Sequence, residues 1–198
     1  MIKYIINSGG LINDPQKAKE FFKETVKGLG SKPNILLCFF ANKRDGWERK
    51  FVDYKENLKK ELPNNISPIF ELALPDKFVV QTKNSDAIII YGGDDYLLQY
   101  WLKQFDIPKI WKNKTIATIS AGSDVLSKHF WTCDWRHCVD GLGIIPIKFL
   151  PHYKSDFGSS DPRGEIDWEK AHKELEECGD RNIPIHALKE GEFIVIEQ

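Results

Sequence analysis

The sequence predicts a three-layer α/β fold in which one open, mostly parallel β-sheet carries helices on both faces. Three observations predict it. Short apolar, β-branched runs recur along the chain, several without the polar alternation of a half-exposed strand, as in Asn34–Ala41 and Asp86–Tyr91. Between them lie stretches with apolar residues at three- and four-residue spacing, long enough to be crossover helices. Glycine and serine gather where the runs end, at Ser8-Gly9-Gly10, Gly92-Gly93 and Ser120-Ala121-Gly122, and in such sheets the reactive groups collect beyond the carboxyl ends of the strands.

Each element has its own justification. Ile2–Asn7 is a buried strand closed by Ser8-Gly9-Gly10, and Pro15–Leu29 is a helix with Pro in its first turn and Ala18, Phe21, Phe22 and Val26 on one face. Asn34–Ala41 is a strand buried on both sides. Asp45–Leu62 places Trp47, Phe51, Tyr54 and Leu58 on one face of an otherwise charged helix. Ser67–Leu74 and Asp86–Tyr91 are the next strands, with a short helix over Asp76–Thr82 between them and another over Asp94–Phe105. Thr115–Ile119 is the fifth strand, followed by a helix from Ser123 to Lys128. Beyond it the alternation fades. His129–Asp140 reads as a packed lid, Leu142–Phe149 as an irregular strand, Lys154–Gly164 as a polar loop and Ile166–Glu177 as a helix. A closing hairpin joins Ile183–Leu188 to Phe193–Glu197 across Lys189-Glu190-Gly191-Glu192. No repeat or linker divides the chain, so residues 1–198 are expected to form one domain.

Composition narrows the function. Twenty-eight basic residues against twenty-nine acidic leave a net charge of −1, which argues against nucleic-acid and anionic-membrane partners. No run approaches the length of a membrane span, the N-terminal stretch is too short for a signal peptide, and Cys38, Cys133, Cys138 and Cys178 follow no disulfide framework; the expectation is a cytoplasmic protein with reduced thiols.

The stretch Thr115-Ile116-Ala117-Thr118-Ile119-Ser120-Ala121-Gly122-Ser123 has the form of a nucleophile elbow, a sharp strand-to-helix turn that lifts a serine Oγ clear of the sheet. A serine before a helix is more often just a cap, so catalysis requires a histidine and a carboxylate within reach. His152, in a Pro-His-Tyr turn after a strand, is the candidate base; His172 and His186 sit within regular elements. Asp134 is the preferred acid, with Asp124 and Asp140 in reserve. The backbone N–H groups of Ala121 and of Gly93 are the candidate oxyanion donors. His129, Cys133, His137 and Cys138 crowd together, but their spacing matches no closed zinc motif, and no metal or cofactor is expected.

The motifs Ile88-Ile89-Ile90-Tyr91-Gly92-Gly93, Ile119-Ser120-Ala121-Gly122-Ser123, Leu150-Pro151-His152-Tyr153 and the late Glu190-Gly191 together resemble the S51 serine peptidases, the family of dipeptidase E and the cyanophycinases. The resemblance implies a class I glutamine amidotransferase-like (flavodoxin-like) fold and no cofactor. It also implies Ser120 as nucleophile, His152 as base, Asp134 as orienting acid and the backbone of Gly93 and Ala121 as oxyanion hole. Family members often pair, so a homodimer is a further expectation. This chain departs from the pattern in three places. Asp94 and Asp95 follow Gly93 where the family has Gly-Gly-Asn, Thr118 stands where glycine is common, and Gly164-Glu165 is followed by Ile166-Asp167 rather than by the arginine that holds an aspartyl side chain. Arg163 and Asp94 are therefore the candidate substrate-binding side chains. The expected function is a serine hydrolase cleaving small peptides or amides through an acyl-enzyme. The alternative, favoured by Thr118, Asp94 and Asp95, is a catalytically silent relative that binds a small ligand or protein partner in the same pocket.

Overall fold

Every apolar run up to Ile119 forms a strand of a single sheet in the computed structural model, which describes residues 1–198. In chain order the elements are β1 (Lys3–Asn7), α1 (Pro15–Val26), β2 (Asn34–Cys38), α2 (Trp47–Glu61), β3 (Ile69–Leu72), α3 (Phe78–Asn84), β4 (Ala87–Ile90), α4 (Asp95–Leu102), β5 (Thr115–Ile119) and α5 (Ala121–Leu126). Then come β6 (Ser127–Thr132), β7 (His137–Asp140), β8 (Ile145–Leu150), α6 (Trp168–Glu177), β9 (Ile185–Ala187) and β10 (Phe193–Glu197). The larger sheet has the order β10-β1-β5-β4-β2-β3, parallel except for β10.

That order fixes where the helices lie. The chain advances from β1 to β2 to β3 in one direction and returns through β4 to β5, so right-handed crossovers put α1 and α2 on one face and α3 and α4 on the other. Ile5, Leu36, Ile89 and Ala117 are buried on the central strands, and Phe21, Phe22 and Leu58 close the α1–α2 face. Full burial of each large aliphatic or aromatic side chain contributes about 1.5–3 kcal/mol. Local chemistry sets the helix starts: the Asp14 carboxylate accepts from Gln16 and Lys17 N–H ahead of Pro15, and Asp167 accepts from Lys170 N–H at the start of α6.

The chain beyond β5 differs from the expected pattern. The helix after the elbow stops at Leu126, and the stretch expected to be a lid is instead strand β6 and its antiparallel partner β7. These belong to a second sheet of order β7-β6-β8-β9, packed with α6 around a small core that includes Trp131, Leu150 and Leu175. Phe130, Trp131 and Thr132 favour extended backbone, and this outweighs the helical spacing of the residues before them. The expected closing hairpin does not form. Ile185–Ala187 runs parallel to β8, while Phe193–Glu197 crosses to the larger sheet and pairs antiparallel with β1. No helix is long and apolar enough to cross a membrane.

Candidate active site

The neighbours β1 and β5 continue into helices on opposite faces of the sheet, α1 after β1 and α5 after β5, which opens a crevice beyond their carboxyl ends. Ser120 stands at that point. Its backbone is in the sparsely populated positive-φ region (φ 51°, ψ −118°), and its N–H donates to Asn7 O at 3.0 Å, so the turn hangs directly on the end of β1. Thr118 does not obstruct the turn. It is buried, with Oγ1 2.8 Å from Ser123 Oγ, and the Ser123 hydroxyl donates to Asn7 O at 2.8 Å, tying β5, α5 and β1 together beneath the elbow.

Ser120 Oγ lies 3.0 Å from His152 Nε2, and His152 Nδ1 lies 3.0 Å from Glu190 Oε1. A neutral imidazole with its proton on Nδ1 donates to Glu190 and leaves Nε2 to accept from the serine hydroxyl. The ring is stacked on Phe157 at 4.1 Å between centroids, and the His152 N–H donates to Ser8 Oγ at 2.7 Å. Burial lowers the His152 pKa below its ordinary 6.5, opposed by the Glu190 carboxylate, which favours the charged form. Glu190 is itself held: Asn13 Nδ2 donates to its Oε2 and Lys17 Nζ to its carbonyl.

The carboxylate that the structure sets against His152 is therefore Glu190, where the sequence expectation was Asp134. Asp134 sits in the turn between β6 and β7 at the rim of the site, where its charge is felt by His152 but its carboxylate makes no bond to the ring. Topology brings Glu190 in: the antiparallel register Asn7↔Phe193 sets the turn before β10 beside the end of β1, where Gly191 N–H donates to Gly9 O at 2.7 Å. The available signal was the Glu190-Gly191 pair read together with the chain order serine, histidine, acid.

The remaining candidates divide. Gly93 and Ala121 flank the crevice; Ala121 opens α5, so its N–H has no acceptor within the helix. A Cβ on Gly92 would lie 2.9 Å from Ile119 O and 3.5 Å from Ala121 N, so only glycine lets the two turns come this close. Asp94 is turned away as the cap of α4, accepting from Leu97 N–H at 2.8 Å. Arg163 is engaged by Asp161 at 2.6 Å and by the Asp134 carbonyl, outside the cleft. The crowded thiol–imidazole stretch disperses: Cys133 Sγ faces Pro151 O, and His137 meets Tyr96 at the surface.

The cleft has a volume of about 540 Å³ and runs from Ser120, His152 and Gly93 between α1 and α2. Phe22, Phe39, Tyr54, Leu58, Tyr91 and Phe157 give it an apolar wall, with Lys50 and Glu61 its only charged side chains.

Behind the oxyanion turns, Asp95 of α4 and Asp124 of α5 form a buried carboxyl pair. Thr132 Oγ1 donates to Asp95 Oδ2 at 2.7 Å, and burial pushes the Asp95 pKa up to about 6 and raises that of Asp124 well above the ordinary carboxyl range. A raised folded-state pKa stabilises the fold below the unfolded value near 3.8, and this stability is lost as pH rises through about 6. Asp95→Asn is thus expected to be more stable than wild type at pH 8 by about 1–3 kcal/mol, the difference vanishing in acid. Urea denaturation of both proteins across pH measures it; parallel stability curves would mean the pair shares no proton.

The fold and this alignment of serine, histidine and carboxylate define an α/β protein of the class I glutamine amidotransferase-like kind. Residues 4–198 match the model of peptidase family S51, and the chain belongs to that family. Two solved structures are similar to it. One is a peptidase from an acI-B1 Actinobacterium, 21% identical with a TM-score of 0.61, with 98% of this chain and 82% of that chain covered. The other is a putative peptidase E protein from Listeria monocytogenes EGD-e, 16% identical with a TM-score of 0.64, with 100% and 99% covered. No curated relative matches the chain.

Proposed function

We propose that this protein is a serine peptidase that hydrolyses small peptides or related amides through an acyl-enzyme on Ser120. The observation that carries the reading is the pair of 3.0 Å contacts linking Ser120 Oγ, His152 and Glu190. His152 Nε2 takes the hydroxyl proton as Oγ attacks the carbonyl carbon, and Glu190 stabilises the imidazolium that forms. The backbone N–H groups of Gly93 and Ala121 receive the oxyanion. The same imidazolium protonates the leaving amine, and a water deprotonated by His152 then releases the acid product and restores Ser120.

The apolar wall favours substrates with an apolar or aromatic side chain next to the attacked carbonyl, and no arginine lines the cleft to hold an aspartyl group. Asp94 caps α4 and Asp95 accepts from Thr132, so neither faces the oxyanion position, which favours the hydrolase over the silent relative.

The test is a di- and tripeptide library scored by mass spectrometry. The expected result is cleavage after apolar and aromatic residues in preference to aspartate. With burial holding the His152 pKa below 6.5, kcat/KM is expected to be level above that pH and to fall below it as the base is protonated. No cleavage by folded protein, or a flat profile from about pH 5 to 8, would count against the proposal.

A further inference from the structure

A second cluster of metal-ligating side chains lies in the smaller sheet, away from Ser120. His129 on β6 stands opposite Asp140 on β7, with its Nδ1 2.7 Å from Asp140 Oδ1. Cys178 caps the C-terminus of α6, and one ligand atom from each of His129, Asp140 and Cys178 lies within 4.8 Å of the other two. Cys138 precedes Asp140 by two residues, on the same face of β7, and its thiol neighbours that of Cys178. Three separate segments thus converge on one imidazole, one carboxylate and two thiols.

We propose that His129, Asp140, Cys178 and Cys138 bind a divalent zinc-class ion, as a clamp between α6 and the β6–β7 hairpin. Thiolate, imidazole and carboxylate suit zinc, whose bonds of about 2.0–2.3 Å set ligand-to-ligand spacings of roughly 3.2–3.8 Å. From the separations of His129, Asp140 and Cys178, closure requires side-chain shifts of about an ångström and opening of the His129–Asp140 contact, and Cys138 has to turn in beside Cys178.

The surroundings fit the charge. A dication with two thiolates, one carboxylate and a neutral imidazole has a net charge of −1. Lys148, fully buried on β8 opposite His129, supplies the balancing charge, with its Nζ donating to Glu176 O at the end of α6. Glu174 on α6 accepts from Trp131 Nε1 and lies 3.8 Å from Lys170 Nζ. Gly179 has φ +61°, and a Cβ there would lie 2.3 Å from His129 Nε2, so the turn after Cys178 packs directly on the ring and fixes the two ligands side by side. Asp140 is exposed, which gives the ion a path in from solvent.

The clamp has a structural purpose. One face of the small sheet joins the main core through Phe130, Ile145, Ile147 and Phe149, but the face that α6 covers has a separate core of only six buried residues, and metal ligation supplements cores of that size. The other end of the β6–β7 hairpin carries Asp134 at the rim of the catalytic cleft, so the ion would steady that rim without touching the reacting atoms.

The test is titration of the reduced, chelator-stripped full-length protein with Co²⁺, followed by displacement with Zn²⁺. The expected result is one equivalent of cobalt with tetrahedral d–d absorption and thiolate-to-cobalt charge transfer, abolished by zinc. Cys178→Ser is expected to weaken binding by about 100-fold or more, and Cys138→Ser to remove about half of the charge-transfer intensity, one of the two thiolates being lost. Asp140→Asn, at an exposed position, should weaken binding by about 10-fold. Zinc should raise Tm in the wild type and not in Cys178→Ser. Absence of charge transfer in the wild type, or spectra unchanged by all three substitutions, would overturn the site whatever the peptidase assays give.

Discussion

Ser120→Ala is expected to fold like the wild type and to lose about 10⁴-fold or more in kcat/KM. The magnitude follows from what the hydroxyl does: without Oγ no acyl-enzyme forms, and the remaining oxyanion donors and substrate contacts can only orient an attacking water. Folding is spared because the Ser120 side chain bonds only His152, whereas the N–H that anchors the turn to Asn7 O belongs to the backbone. Alanine meets the same positive-φ requirement, at no greater strain than serine. Kinetics on a peptide cleaved by the wild type would be paired with a fluorophosphonate label, which should add one adduct, on Ser120, and none to the variant. Retained hydrolysis in Ser120→Ala would place the nucleophile elsewhere.

Glu190→Gln is expected to reduce kcat/KM by about 10³–10⁴-fold, while Asp134→Asn changes it less than about threefold. The amide of glutamine turns an N–H toward His152, forces the ring proton onto Nε2 and deprives Ser120 of its acceptor. Asn13 and Lys17 still hold the backbone and side chain of residue 190 in place, so the effect reports chemistry rather than collapse of the turn. Asp134 acts on His152 only through its charge across the rim, and removing that charge shifts the base slightly. Steady-state kinetics over pH on both variants decides the matter. The opposite ranking would return the orienting role to Asp134.

The legibility of the sequence followed the range of the interactions. β2, β4 and β5 were readable because strands buried on both faces need continuous apolar runs, and Ser120 because a serine closing such a run before Ala-Gly has few other geometries. His152 was readable from its turn after β8. Glu190 was visible only as part of the Glu190-Gly191 motif and without a role, because its nearness to His152 depends on β10 crossing from one sheet to the other and pairing with β1, a contact between distant parts of the chain. Asp134 was favoured by proximity along the chain, and the fold puts that proximity at the rim. The β6–β7 pair was obscured because His129, Cys133, His137 and Cys138 interrupt its alternation; the groups that meet His129 lie at Asp140 and, much later, at Cys178. Thr118 raised doubt as a bulky residue, but its hydroxyl bonds Ser123 beneath the elbow.

The pairing of β10 with β1 also sets a timetable. During synthesis the serine and the histidine leave the ribosome before the glutamate, and β1 must wait for β10, made much later, to dock beside it. Until then His152 lacks the carboxylate that it bonds in the folded chain. The contact between His152 and Glu190 is thereby coupled to the pairing of β10 with β1.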